Sequence, residues 1–258
     1  VARFQSEPAK DIILPQSYRI PGAVQDIANC ILNRIPDHRR IKKQWSPRPE
    51  KGYVEYVTSI EDLPLYSGDW LILARTNDKL KRMAPALKDM GLYFEIKGRK
   101  SYRTRLYKSI QDYTRWTTGD KLSLSEIKDL FEFLELDTEL TDERMYDLKE
   151  FGFNSTDHWY EVFKADPEEC LYIREMMRNE EKLSKTPRIK LSTIHAAKGG
   201  EATNVLIILD NTKKIREAVD NSLDKQDEEH RVWYVGVTRT KQNLYIMTAK
   251  REDRGYDI

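Results

Sequence analysis

Two short, continuously apolar runs place the strongest constraint on the fold. Residues 70–74 read WLILA and residues 204–209 read NVLIIL, and polar residues bound each run. A strand with one face in water alternates apolar and polar side chains, whereas a strand buried on both faces is apolar throughout. Both runs therefore predict central strands of a parallel sheet that is covered by helices. At 258 residues the chain has room for such a domain and for a smaller second one.

Shorter signals around these runs complete an α/β pattern. Apolar residues recur at helical spacing over 22–32, 78–90 and 227–238. Further strands are predicted at 11–14, 53–58, 93–96, 189–193 and 244–247. Gly91 is predicted to stop the second helix, and Asn77 or Asp78 to cap its beginning. Strand and helix thus alternate on both sides of a different central segment.

Residues 100–185 are highly charged and carry helical spacing without a convincing strand. Ser123 and Glu126 form a capping box ahead of an apolar helical stripe, and further helices are predicted over 141–150, 157–163 and 167–182. The sequence therefore predicts one discontinuous α/β domain, residues 1–99 and 186–258. A mostly helical insertion, residues 100–185, interrupts it.

Composition narrows the functional classes. The formal net charge is only +1, so any contact with nucleic acid must come from a local patch. Cys30 and Cys170 form no metal-binding spacing, and the four histidines are scattered, so no metal site is expected and a metalloenzyme is the least favoured class. The sequence contains no apolar run near the roughly 20 residues of a membrane span.

Polar residues cluster between the predicted strands 189–193 and 204–209. Thr193, His195, Lys198 and Glu201 surround Gly199 and Gly200 there. We interpret them as one cluster at a strand end, because α/β sheets bind ligands at the carboxyl ends of parallel strands. The glycines would let the backbone approach a ligand closely. An ordinary solvated loop is the plainer alternative.

Three other segments also place polar or charged residues next to a predicted strand or helix. Arg239 follows a predicted helix, where it would reach a phosphoryl group as an arginine finger or simply cap the helix. Tyr18 and Arg19 are predicted to lie in a turn between a strand and a helix, where they offer an aromatic face and a cation. Arg75 and Asn77 follow the buried run 70–74.

The order and spacing of four motifs resemble those of UvrD/Rep-like superfamily 1 DNA helicases. The segments are LPQSYRIPGAVQDIAN, LILARTNDKLKRMAPALKDMGLYFEI, LSTIHAAKGGEATNVLIILD and EEHRVWYVGVTRTKQNLYIM. They cover most of residues 12–96 and 189–248, and the last two are the most specific. The resemblance implies the second, RecA-like motor domain of such a helicase, with a parallel sheet flanked by helices. The insertion is shorter than the accessory domain that the family carries there.

The resemblance also implies residue roles. Arg19 and Arg239 match the two arginines that contact the γ-phosphate, and Tyr18 matches the aromatic residue that stacks on adenine. Glu201 matches the acidic residue near the ribose, beside Gly199 and Gly200. The expected DNA contacts are Arg75, Asn77, Thr193 and His195. Ile20 and Pro21 depart from the family pattern after Arg19.

One part of the expected ATP site is missing from the sequence. No GxxxxGK[ST] phosphate-binding loop occurs, and no acidic pair for magnesium follows an apolar strand. The resemblance implies that the site for ATP with Mg²⁺ is completed by an N-terminal motor domain of the same protein, which supplies the Mg²⁺ ligands. This chain alone is expected to be inactive, and the full-length protein to be a monomeric, ATP-dependent helicase or translocase on single-stranded DNA.

Two rival classes remain open alongside this interpretation. The first is a catalytically degenerate helicase-like module that binds DNA or protein without turnover. The second is a helicase–nuclease fusion, which nothing after Met247 supports. The resemblance further implies a bacterial or phage protein that works in the cytoplasm in DNA repair or replication, without a membrane partner.

Overall fold

The computed structural model describes residues 15–41, 45–197, 199–249 and 254–258. The strand predicted at 11–14 and Lys198 in the polar loop lie outside these residues. The described residues form two compact units: those up to Pro85 together with those from Arg188 onward form the first, and Ala86–Pro187 form the second. The second unit begins earlier than the insertion predicted at 100–185. The assignment of the two parts to a motor domain and an accessory insertion stays a prediction.

Strands and helices are numbered along the chain. The strands are β1 (Gln16–Pro21), β2 (Ser46–Arg48), β3 (Tyr53–Val57), β4 (Trp70–Ala74), β5 (Phe94–Ile96), β6 (Arg99–Lys100), β7 (Ile189–Thr193), β8 (Ala202–Ile208) and β9 (Thr240–Met247). The helices are α1 (Gly22–Leu32), α2 (Asn77–Lys81), α3 (Ala84–Asp89), α4 (Thr104–Thr117), α5 (Leu124–Leu134), α6 (Trp159–Val162), α7 (Pro167–Arg178), α8 (Lys213–Asp220) and α9 (Leu223–Val237).

Five strands of the first unit form a parallel sheet in the order β3-β9-β8-β4-β7. The two continuously apolar runs are its central strands β8 and β4, as predicted. Every residue of β4 is buried. The α/β class with a parallel sheet flanked by helices is therefore confirmed.

Strand register defines two edges of this sheet. Trp70 aligns with Ile189 and Asn204, and Asn204 aligns with Asn243. We call the side on which these strands begin the amino edge. Ala74, Thr193, Ile208 and Met247 lie at the other ends of the same strands, and we call that side the carboxyl edge. The chain leaves β8 at the carboxyl edge, and α9 brings it back to the amino edge, where β9 begins.

Helices α1 and α9 pack together over one side of the sheet. Trp233 and Val24 are fully buried in this layer. Gly236 allows the close approach of α9, because a Cβ atom there would lie 2.7 Å from Cδ1 of Ile207. The sequence predicts an apolar face of α9 formed by Val232, Val235 and Val237. Val237 is fully buried, together with Trp233, whereas Val232 and Val235 are only half-buried.

Several local predictions for the first unit differ from the structure. The helix predicted over 78–90 is two short helices, α2 and α3. Pro85 explains the break, because its ring clashes with a helical carbonyl four residues earlier and it lacks an N–H donor. The N-cap of α2 is Thr76, not Asn77 or Asp78. Helix α9 begins at Leu223 rather than near residue 227, and α8 was not predicted.

The second unit begins within α3, continues in a β-hairpin and is then mostly helical. Lys97 and Gly98 both have positive φ angles, which is typical of a two-residue turn between paired strands such as β5 and β6. The predicted capping box of α5 is confirmed, since the Ser123 N–H donates to Glu126 at 2.8 Å. The helix predicted over 141–150 is wrong. Tyr146 pairs with Leu122 as a β-bridge there, and only Leu148–Phe151 forms a 3₁₀ turn.

The remaining predicted helices of this unit are shorter than expected. The helix predicted over 157–163 is reduced to α6, and the helix predicted over 167–182 ends at Arg178. Among all the helices that the structure describes, none is long and apolar enough to cross a membrane.

Candidate functional site

Four charged side chains meet at the amino edge of the sheet. Arg19 lies in β1, Glu201 immediately precedes β8, and Arg239 and Lys241 lie at the start of β9. Nη1 of Arg19 is 3.6 Å from Oε2 of Glu201, and Nζ of Lys241 is 2.8 Å from Oε1 of the same carboxylate. We call Arg19, Glu201, Arg239 and Lys241 the amino-edge cluster. Its formal charge is +2, which suits an anionic ligand.

The two arginines of this cluster are held differently. Nε of Arg239 donates to the carbonyl of Val235 at 3.1 Å, and its Nη1 is 3.5 Å from the carbonyl of Gly200. Nε of Arg19 is buried and has no hydrogen-bond partner among the described residues. A buried donor without a partner is unfavourable by about 1–3 kcal/mol, so Arg19 gains from an acceptor that a ligand brings.

Electrostatics in the cluster follow from these contacts. Burial, and then the positive charge of Arg19, lower the pKa of Arg239 from its usual value. The hydrogen bond from Lys241 is the largest cause that lowers the pKa of Glu201. The carboxylate is therefore ionised at neutral pH and offsets part of the positive charge of its three neighbours.

The remaining residues predicted to bind nucleotide lie beside this cluster. Tyr18 precedes Arg19 in β1 and its side chain is 88% exposed, so the ring is free to stack on a base. Gly199 has a φ of 87° and open space around it. Gly200 donates its N–H to the carbonyl of Ala197 at 2.9 Å, which closes the turn ahead of Glu201.

Two predictions about this region are wrong. Tyr18 and Arg19 lie inside a strand, β1, and not in a turn after one. Strand β1 pairs with β2, whose residues are about 30 positions away, so local sequence carries no sign of it. Glu201 was expected in one cluster with Thr193 and His195. The chain between them crosses the sheet, and Glu201 lies at the amino edge whereas Thr193 ends β7 at the carboxyl edge.

The predicted DNA-contacting residues all lie toward the carboxyl edge. Arg75 and Asn77 follow β4. Thr193 is the last residue of the neighbouring strand β7, and His195 follows it. Arg75 and His195 line one cavity of about 370 Å³ with Glu229 of α9. His195 is exposed, and Oγ1 of Thr193 accepts the N–H of Ala196 at 3.3 Å.

Arg75 is already bonded within the protein. Its Nε lies 3.1 and 3.0 Å from the two carboxylate oxygens of Glu229, which is only 4% exposed. Oδ1 of Asn77 is buried and has no partner among the described residues. Of the predicted DNA contacts, His195 is therefore the one that is exposed to solvent, whereas Arg75 is tied to α9.

Glu229 and Lys241 were not singled out as site residues from the sequence. Glu229 lies four residues before Trp233 on the buried stripe of α9, and a charged residue on such a stripe signals a buried partner. That signal was available. Lys241 offers no comparable signal, because its partner Glu201 is 40 positions away and belongs to another part of the sheet.

Helix α9 joins the two edges physically. Glu229 bonds to Arg75 on the carboxyl side, and Arg239 follows the last turn of the helix at the amino edge. From Glu229 to Val237 the helix rises about 12 Å. Between these points, His230 of α9 bonds to the hydroxyl of Tyr256 at 2.7 Å, and Trp233 stacks on the same ring. Within the described parts of the chain, no group of three or more His, Cys, Asp or Glu residues is arranged to hold a metal ion.

Comparison with known proteins agrees with this architecture. Residues 109–251, which is more than half of the chain, match the family described as the UvrD-like helicase C-terminal domain. The ATP-dependent DNA helicase PcrA of Bacillus subtilis is 28% identical in an alignment of 188 positions that covers 69% of this chain and 22% of that protein. The chain thus spans about a fifth of the length of this curated relative. On the family match, the chain belongs to the UvrD-like helicase C-terminal domain family.

Proposed function

We propose that this chain is the arginine-donating half of an ATP-dependent DNA helicase or translocase. The observation that carries the proposal is the meeting of Arg19, Arg239 and Glu201 at the amino edge, with an unpartnered Nε on Arg19. Two arginines beside one carboxylate form an incomplete anion site, because a triphosphate carries more charge than this cluster neutralises.

The side chains present fit a nucleoside triphosphate. Arg19 and Arg239 bind the terminal phosphate and stabilise the charge that develops when it is transferred to water. Tyr18 offers its exposed ring to the adenine, and Glu201 faces the ribose beside Gly199 and Gly200. ATP with Mg²⁺ supplies the transferable phosphoryl group. The Mg²⁺ ligands and the phosphate-binding loop belong to an N-terminal motor domain of the same protein.

Single-stranded DNA is the proposed ligand of the carboxyl edge. Exposed His195 and the end of β7 at Thr193 offer hydrogen-bonding groups to bases or phosphates there, and Asn77 is proposed to contact the strand beside them. Arg75 orders this edge through its bond to the buried carboxylate of Glu229. The full protein is proposed to act as a cytoplasmic monomer in DNA repair or replication, supported by its similarity to a DNA helicase of Bacillus subtilis.

ATP hydrolysis tests the proposal most simply. The 258-residue chain and the longest natural protein that contains it are assayed with and without single-stranded DNA. We expect turnover only in the longer protein, and a loss of roughly 1000-fold in Arg19→Ala, because an arginine finger contributes 10³–10⁵ in rate. Arg178→Ala is the matched control, since that side chain is 79% exposed and lies in the second unit. Turnover by the chain alone would overturn the split-site proposal.

The second candidate function is a degenerate module that binds DNA or protein without hydrolysis. It is favoured by Arg75, whose Nε is paired with a buried carboxylate of the protein, Glu229. The same assay separates the two functions. A degenerate module binds single-stranded DNA equally well with and without ATP, and Arg19→Ala changes neither binding nor turnover.

A further inference from the structure

Two cations share the carboxylate of Glu201 unequally. Nζ of Lys241 is within hydrogen-bonding distance of Oε1, at 2.8 Å, whereas Nη1 of Arg19 remains 3.6 Å from Oε2. Charge-assisted N–H···O bonds are typically about 2.7–2.9 Å long. The bond from Lys241 is therefore fully formed, and the pair with Arg19 is loose.

Lys241 and Glu201 are brought together by the sheet. Lys241 lies at the start of β9, whose first residue, Thr240, aligns with Ala202 of β8, the residue after Glu201. Asp69, just before β4, accepts the N–H of Thr203 at 2.8 Å and so holds the same end of β8. Lys241 therefore approaches Glu201 from a neighbouring strand and engages Oε1, whereas Arg19 faces Oε2.

A guanidinium and a carboxylate form a two-bond pair when nothing competes for the carboxylate. Arg19 would form that pair with Glu201 if Lys241 did not hold Oε1. The Arg19 side chain would then have to leave a tight internal partner before binding a phosphate. In the observed arrangement, Arg19 leaves only its loose pair with Glu201 when it binds a phosphate.

We propose that Lys241 is a positioning residue that keeps Arg19 available for the terminal phosphate of a nucleoside triphosphate by engaging Glu201. This inference rests on the proposed function of the amino-edge cluster. Lys241 acts through Glu201 and does not itself contact the nucleotide. Loss of Lys241 therefore weakens nucleotide binding only while Glu201 keeps its charge.

A double-mutant cycle in the longest natural protein that contains this chain tests the inference. KM for ATP and kcat are measured with single-stranded DNA for Lys241→Gln, Glu201→Gln and the double variant. We expect Lys241→Gln to raise KM about threefold, the scale of a partly exposed ion pair, and to lower kcat by a smaller factor. In the Glu201→Gln background the same change should leave KM unaltered.

Two further variants separate a positioning role from a general effect of removing a positive charge. Lys241→Arg keeps a cation at this position and should restore the original KM. Lys213→Gln is the matched control, since Lys213 is 80% exposed on α8 and pairs only loosely with Glu217, at 3.6 Å. An equal rise in KM in both backgrounds would show direct attraction of nucleotide by Lys241 and overturn the proposal. An unchanged KM in Lys241→Gln would overturn it as well.

Failure of the proposed function looks different. If Arg239→Ala retains full turnover, the amino-edge cluster is not the ATP site, and the proposal for Lys241 falls with it. If Arg239→Ala is inactive and Lys241→Gln behaves as the unmodified protein, the site assignment stands and only the role of Lys241 is wrong.

Discussion

At the carboxyl edge of the sheet, Arg75 is bonded through Nε to both oxygens of a buried carboxylate, Glu229. At the amino edge, Arg19 faces Glu201 across 3.6 Å and its own Nε has no partner among the described residues. The Nε of Arg75 is thus paired with a buried carboxylate, whereas the Nε of Arg19 has no acceptor in the described part of the chain. The paired group stabilises the fold, and the unpaired donor of Arg19 gains from an acceptor that a ligand brings.

This difference matters because one helix connects the two edges. Helix α9 carries Glu229 toward the carboxyl edge and leads into Arg239 at the amino edge. A shift of α9 that loosens the bond between Glu229 and Arg75 would also move Arg239. We therefore expect substitutions at the amino edge to lower mainly turnover, and substitutions at the carboxyl edge to lower mainly stability.

The largest expected effect is on turnover at the amino edge. Arg239→Ala should lower kcat of the longest natural protein roughly 1000-fold or more, because the lost guanidinium stabilises transition-state charge. Its hydrogen bonds go to the backbone carbonyls of Val235 and Gly200, so the free energy of unfolding should fall by less than about 1 kcal/mol. Steady-state kinetics and urea unfolding measure both. A large loss of stability with little loss of kcat would reverse the comparison.

The next effect is on stability at the carboxyl edge. Arg75→Ala leaves Glu229 buried without its partner, and the free energy of unfolding should fall by about 3 kcal/mol in urea titrations. Arg82→Ala is the matched control, since it removes an arginine whose side chain is 63% exposed and pairs with Asp78 on the surface. The free energy of unfolding of that control variant should fall by less than about 0.5 kcal/mol. Unchanged stability in Arg75→Ala, with weaker DNA binding, would make Arg75 a ligand contact.

A smaller effect concerns DNA affinity. His195→Ala should weaken binding of a fluorescent single-stranded oligonucleotide about threefold to tenfold, the scale of one hydrogen bond, and leave the KM for ATP nearly unchanged. His38→Ala removes an exposed histidine elsewhere and serves as the control. If His195→Ala raised the KM for ATP and spared DNA binding, the roles assigned to the two edges would be wrong.

The smallest effect is a pH dependence in the middle of α9. Burial is the main cause that lowers the pKa of His230, with the charge of Arg34 next and Asp227 opposing. The pKa of His230 in the folded protein lies below the unfolded value of about 6.5. The contribution of neutral His230 to the free energy of unfolding is therefore complete above pH 6.5 and is lost as the pH falls below it. Tm measured between pH 8 and pH 5 should fall less in His230→Gln than in His38→Gln, and equal slopes would contradict the assignment.

The parts of the fold that local sequence encodes were predictable. Strands β4 and β8 are apolar at nearly every position because both of their faces are covered, and that pattern is visible without a structure. The capping box of Ser123 and Glu126 depends on residues three positions apart and was equally visible. The arginines of the amino-edge cluster were assigned from their motifs.

The parts that distant contacts decide were not predictable. The spacing around Tyr146 predicts a helix, but its backbone pairs with Leu122 in the structure. The sequence predicts a turn at Arg19, because β1 is recognisable only through its partner β2. The separation of Glu201 from Thr193 depends on a connection that crosses the sheet without a helix. Hence the motifs identify the site residues, but they do not show which residues surround them in the fold.

Photocrosslinking with 8-azido-ATP tests most directly whether nucleotide binds at the amino edge. The longest natural protein that contains this chain is labelled, digested and mapped by mass spectrometry, with and without an excess of unlabelled ATP. We expect a competed adduct within residues 16–21, the strand that carries Tyr18 and Arg19. A competed adduct at residues 75–77 or 193–197 instead would place the nucleotide at the carboxyl edge and contradict the proposed ATP site.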